Sequence, residues 1–131
     1  MRTSPTRGRM PAVSTPEEPR RGTTIPVAHA FDVEGVKRRL AESGGGYEIV
    51  HETPGLELGV YVLVAPEADH QQPHAFDEVY VVLDGRGTLE IEGDQVELGE
   101  GSAAFVPAGA DHRFAGYEQL SVLVIFDKVP R

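Results

Sequence analysis

From Tyr47 onward the apolar residues fall in short runs, many of them alternating with polar positions. The runs Tyr47–His51, Leu56–Ala65, Glu78–Leu83, Thr88–Glu92, Gln95–Leu98, Ser102–Val106, His112–Ala115 and Leu120–Phe126 are rich in β-branched, aromatic or alternating residues and predict eight short strands. Between them stand Thr53-Pro54-Gly55, Asp84-Gly85-Arg86-Gly87, Gly93-Asp94, Gly99-Glu100-Gly101 and Pro107-Ala108-Gly109-Ala110. These are turn residues, glycine for positive φ and Asp or Pro to preset a bend. Glu90–Leu98 alternates polar and apolar around Gly93-Asp94 and reads as a hairpin. Many short strands at close spacing predict an all-β sandwich or barrel. Upstream, the period lengthens. Asp32 is a candidate N-cap, Val33, Val36 and Leu40 share a helical face, Arg38 and Arg39 follow Glu34 at helical spacing, and Ser43-Gly44-Gly45-Gly46 stops the helix.

Residues 1–24 show neither period. They are rich in Pro, Thr, Ser, Arg and Gly and hold too little apolar surface to offset ordering, so a disordered arm is expected, with an ordered domain-swapping arm as the alternative. The folded domain is expected over 25–131. The arm carries five arginines against two glutamates, a net of +3, while the remainder carries seven basic and nineteen acidic residues, a net of −12. An acidic folded part argues against nucleic acid, whose phosphates need a basic patch. No run approaches the roughly 20 apolar residues that span a bilayer, and Ser4, Pro5, Pro11, Ser14 and Pro16 interrupt any export signal. No targeting signal is read. Cysteine is absent, which excludes disulfides, thiolate zinc, iron–sulfur clusters and cysteine nucleophiles. Together these favour a cytoplasmic protein whose metal, if any, sits on nitrogen and oxygen.

Two segments concentrate such donors. In Asp69-His70-Gln71-Gln72-Pro73-His74-Ala75-Phe76-Asp77-Glu78-Val79-Tyr80, Gln72 and His74 share parity in an extended chain, and Glu78, Tyr80 and Val82 share the next strand's face. A carboxylate on an inward face needs a cation. Either a metal supplies it or Arg113 does, as a structural ion pair. The second segment runs Gly101 to His112 and places His112 after a Pro107-x-Gly109 turn, at the start of a returning strand. A lone histidine in either segment would be ordinary, and His29 and His51 are assigned no role.

These residues resemble the two motifs of the cupin superfamily, particularly its small single-domain members. The second motif, G-x5-P-x-G-x2-H-x3-N, matches at Gly101, Pro107, Gly109 and His112, with Gly116 replacing the final Asn. The first, G-x5-H-x-H-x3,4-E-x6-G, matches at His74, Glu78 and Gly85, with Gln72 in place of the first His and Pro66 in place of the leading Gly. The resemblance implies a double-stranded β-helix, or jelly-roll barrel, preceded by a short helix. It also implies one divalent transition metal held by His74, Glu78 and His112, with Gln72 as the fourth ligand and His70 as its competitor. Two histidines and a carboxylate suit iron first, with manganese, nickel or zinc as alternatives. The implied activity is that of a metal-dependent enzyme on a small molecule. Dioxygenase chemistry is the first choice, and isomerase or lyase chemistry is open. Tyr80 would supply a proton and Arg113 would hold a substrate anion. The alternatives are a non-catalytic barrel that binds or senses a small ligand, and a degenerate barrel whose His–Glu pair is merely hydrogen-bonded. Family likeness further implies a homodimer.

Overall fold

A computed structural model describes residues 30–129. The expectation of a disordered arm over 1–24, the domain's first residues 25–29 and His29 all lie outside the described residues.

Helix α1 spans Val33–Glu42. Asp32 caps it, Oδ1 accepting from the Gly35 backbone N–H at 3.0 Å. Val36 is buried against Val60 and Val62, with Val33 and Leu40 packed at the edges of the same cluster. Burying each such side chain stabilises by about 1.5–3 kcal/mol, so this face docks the helix. The charged residues pair otherwise than the Glu34, Arg38 and Arg39 spacing suggests. Glu34 meets Lys37 at 3.0 Å, while Arg39 reaches out of the helix to both Glu48 oxygens at 2.7 and 2.8 Å.

The strands are β1 Gly46–Thr53, β2 Leu56–Val64, β3 Asp77–Ile91, β4 Asp94–Gly99, β5 Ala103–Val106, β6 His112–Ala115 and β7 Gln119–Asp127. All pairings are antiparallel: β1 with β2, β2 with β7, and β3 with β7, β5, β4 and β6. In β2, Tyr61 and Leu63 face the main core while Val60 and Val62 face the helix. In β7, Leu120, Val122 and Val124 face the main core, and Leu123 packs into the helix cluster. Both strands are therefore apolar on both faces, as a doubly covered strand requires.

One expectation is corrected. Asp84-Gly85-Arg86-Gly87 is not a turn between two strands, because β3 runs through it unbroken. Its first half, Glu78–Val81, lies between β5 and β7, and its second half, Thr88–Ile91, lies between β4 and β6. The register against β7 shifts between Val82 and Asp84, and Gly85 follows with φ +84°. A bulge with a left-handed glycine bends one strand between two sheets. A Cβ on Gly85 would collide with the Gln119 carbonyl oxygen. The next turn falls one residue earlier than the expected Gly93-Asp94. Glu92 and Gly93 connect Ile91 to Asp94 with φ +49° and +87°, the sign pattern of a two-residue I′ hairpin turn.

The main core fills the space between the sheets with Leu63, Tyr80, Val82, Leu89, Leu98, Val106, Phe114, Leu120, Val122 and Val124. Four polar residues are buried: Asp69, Glu78, His112 and Ser121. Three of the four belong to one cluster at the end of this core.

Candidate metal centre

Glu78 opens the pleat of β3, and strand alternation turns it inward with Tyr80 and Val82. It is 2% exposed, and its Oε1 has no hydrogen-bond partner. A buried carboxylate oxygen without a partner is costly, so the nearest groups decide its state. His112 Nε2 lies 3.3 Å away and His74 Nε2 3.9 Å away.

Both histidines are set by the turn from Pro107 to Ala110. Ala110 N–H bonds to the Pro107 carbonyl at 3.2 Å, and His112 begins β6 directly beyond. The His112 Nδ1 lies 2.9 Å from the Ala110 carbonyl oxygen. A proton donated there leaves Nε2 as the lone-pair nitrogen facing Glu78. The same turn anchors His74: Gly109 N–H donates to the His74 carbonyl at 2.7 Å, and Ala108 N–H donates to Asp77 Oδ1 at 2.9 Å. The His74 ring stands 5.1 Å from the His112 ring and edge-on to Phe126 at 5.0 Å.

One donor atom from each of His74, Glu78 and His112 falls within 4.8 Å of the others. Ligands held at about 2.1 Å from a divalent ion stand roughly 3.0–3.4 Å apart at neighbouring corners and about 4.2 Å apart across it. The separations of 3.3 and 3.9 Å suit such a set. The unpartnered Glu78 oxygen and the two imidazole nitrogens thus fit a metal of nitrogen and oxygen preference. Without a metal, burial disfavours the His112 cation, but Glu78 and the Ala110 carbonyl outweigh it and the net shift of its pKa is upward.

Tyr80 completes the floor. It is fully buried, and its hydroxyl lies 3.1 Å from both His112 Nε2 and Gln71 Oε1. Burial, then the charge of Glu78, push its pKa upward, so the hydroxyl keeps its proton. A cavity of about 220 Å³ opens beside His74 and Glu78, walled by Tyr47, Tyr61, Gln71, Val124 and Phe126. Gly59 leaves room for the Tyr47 ring, which a Cβ there would meet.

The other residues expected at the site are on its exposed side. Residues 67–76 belong to no strand, and Gln72 is exposed while His74 is half-buried, so the two do not share a face. Gln72 and His70 are exposed and line a surface cavity of about 560 Å³ that also takes in Asp69, Gln71, His112 and Arg113, so it borders the site on the His112 side. Arg113 alternates outward from His112 on β6 and pairs with Glu90 at 2.9 Å, so it does not neutralise Glu78. Gln71 turns inward instead, and Asp69 behind it is 5% exposed. Neither was marked by the sequence, because a loop without a period gives no facing rule.

An antiparallel jelly-roll barrel with an inward His–Glu–His set defines a class of small barrels with a candidate metal site at one end of the core. Comparison with known proteins agrees. Residues 60–126 match the family model described as "Cupin domain", and the chain belongs to the cupin family. An uncharacterized protein of Streptomyces coelicolor is 36% identical over 98 residues, which cover 74% of this chain and 93% of that protein. Two solved structures show the same fold at low identity. A salicylate 1,2-dioxygenase from Pseudaminobacter salicylatoxidans has a TM-score of 0.64 at 17% identity, covering 72% of this chain and 33% of that one. A DMSP lyase from Ruegeria pomeroyi has a TM-score of 0.59 at 22% identity, covering 66% and 48%. The fold is thus shared by different chemistries and does not choose among them. No helix among the described residues is long and apolar enough to cross a membrane.

Proposed function

We propose that this cupin is a divalent-metal enzyme acting on a small, largely apolar molecule, with dioxygenase chemistry the first choice and isomerase or lyase chemistry next. The observation that carries the reading is the Glu78 oxygen, buried without a hydrogen-bond partner between two imidazole nitrogens. His74, Glu78 and His112 would hold the metal, iron before manganese, nickel or zinc. When bound, that metal supplies either oxygen activation or Lewis-acid polarisation of a substrate oxygen.

The chain's own residues do the rest. His112 keeps its ring orientation through the Ala110 carbonyl. Phe126, Val124, Tyr61 and Tyr47 offer an apolar wall that excludes water and takes the body of the substrate. Tyr80 holds a proton on its hydroxyl at the floor of the site, where it can donate to an oxygen that gains charge. Neither Lys nor Arg lines this cavity, so a substrate anion would find its positive partner only at the metal. Arg113, turned outward to Glu90, takes no part in this reading. The active unit is taken as a homodimer in the cytoplasm, and light scattering at twice 14.2 kDa tests the pairing.

Elemental analysis of protein purified without added metal should find about one ion per chain, lost in His74→Ala. Oxygen uptake with a panel of phenolic, diketone and thiol substrates then separates the oxygenase reading from the others. Absence of metal in the wild type, and no binding on titration with Fe²⁺, Mn²⁺, Ni²⁺ or Zn²⁺, would leave a barrel that binds small ligands without metal chemistry.

A further inference from the structure

The structure assigns a fourth metal donor to the amide oxygen of Gln71, with Asp69 as the residue that aims it. This rests on the proposed metal site. Gln71 Oε1 lies 3.1 Å from His74 Nε2, a neighbouring-corner separation for an ion with bonds of about 2.1 Å. It also accepts from the Tyr80 hydroxyl at 3.1 Å, and Gln71 lines the same cavity as His74 and Glu78.

The amide orientation follows from its other end. Asp69 is a buried carboxylate and can only accept. Its Oδ2 takes the Gln71 Nε2–H at 2.7 Å and the Phe114 backbone N–H at 2.9 Å, and its Oδ1 takes the Tyr61 hydroxyl at 2.6 Å. With the amide nitrogen committed to Asp69, the oxygen must face His74. Reversing the amide would put its oxygen against a carboxylate in a buried setting and would offer N–H groups to the site. Asp69 is itself fixed by a strand backbone and a tyrosine, so the donor is held before any ion arrives. A neutral oxygen from Gln71 joins two imidazoles and one carboxylate, which leaves the set one negative charge.

The test is metal affinity and ligand-field spectrum on the full chain, with Co²⁺ and Zn²⁺ as probes and a chromophoric chelator as competitor. Gln71→Leu keeps the bulk and removes the oxygen. It should weaken binding about 10- to 100-fold and change the visible Co²⁺ spectrum. Asp69→Asn should weaken binding in the wild-type background and add nothing in the Gln71→Leu background, since a positioning residue has nothing left to position. Additive losses would assign Asp69 a purely structural role and overturn its part. Should Gln71→Leu not fold, the wild type gives the same answer by NMR. The Gln71 side-chain amide resonances should shift on Zn²⁺ addition and those of Gln72 should not. Unchanged affinity and spectrum in folded Gln71→Leu, or an unmoved Gln71 amide in metal-loaded wild type, would overturn the assignment while leaving the three-ligand site standing. A wild type that binds no ion would instead sink the site on which the assignment rests.

Discussion

Glu78→Gln should stabilise the metal-free protein at pH 8 and remove most of its response to metal, two changes of opposite sign from one atom. Glu78 is 2% exposed with Oε1 unpartnered, and an unsatisfied buried acceptor costs about 1–3 kcal/mol. The glutamine amide keeps the shape, loses the charge and can donate to His112 Nε2 from the 3.3 Å position. A gain of about 1–3 kcal/mol raises the melting temperature by roughly 4–12 °C in a domain of this size. The pH sets the contrast. The His112 pKa is raised above its ordinary 6.5 in the fold, so the stabilisation from its cation beside Glu78 is complete below about 6.5 and is lost as pH rises through the folded value. The wild type therefore closes the gap at pH 6, and the variant has a flatter profile. Metal acts the other way. At a metal concentration of 100 Kd the wild type gains about 2.7 kcal/mol, or roughly 10 °C. A variant whose Kd is about 100-fold weaker gains only about 0.4 kcal/mol at that concentration. Thermal melts at pH 6 and pH 8, with chelator and with Zn²⁺ or Mn²⁺, read all four values. A Glu78→Gln protein less stable than wild type at pH 8 without metal, together with a wild type that metal does not shift, would refute the reasoning and make Glu78–His112 a structural pair.

Tyr80→Phe removes one hydroxyl from a fully buried ring. It should cost about 1 kcal/mol of stability and leave metal stoichiometry intact, while lowering turnover on any substrate found by about 10²- to 10⁴-fold; equal turnover in the variant would remove the tyrosine from the chemistry. Gly85→Ala meets both a φ of +84° and the Gln119 carbonyl. It should destabilise by more than about 1–3 kcal/mol in urea melts, whereas Gly93→Ala, at φ +87° with nothing within 4 Å of the added carbon, should cost less.

The parts of the site that the sequence made legible are those set by local turn geometry. Pro107, Gly109 and His112 lie within six residues, and one reversal of the chain fixes where His112 sits. Glu78 and Tyr80 follow from strand parity alone, since β3 keeps its alternation from Glu78 to Val82. The helix from Asp32 was legible for the same reason, a cap and a face within one element. The path of β3 was not. Glycine and aspartate at 84–87 signal a turn by composition, and only the β7 register and the Gln119 carbonyl make them a bend within a strand. That distinction is tertiary, because the partner lies some 35 residues away in the chain.

The loop from Glu67 to Phe76 illustrates the limit more sharply. Its contacts are decided by what it meets, Tyr61 on β2, Phe114 on β6 and Tyr80 on β3, rather than by any period of its own. Counting back two from His74 reaches Gln72, yet residue 71 is the half-buried one and residue 72 is exposed. The motif departure at Gln72 therefore says less about donor number than it suggests. An imidazole is absent from the motif position, but an oxygen stands 3.1 Å from His74 Nε2 at the adjacent residue, and a buried aspartate holds it there. A carboxylate placed solely to fill a core would be expensive. Asp69 is satisfied by three donors and in turn orients one acceptor, which under the proposed assignment makes the loop a support for the candidate metal centre rather than a remnant of it.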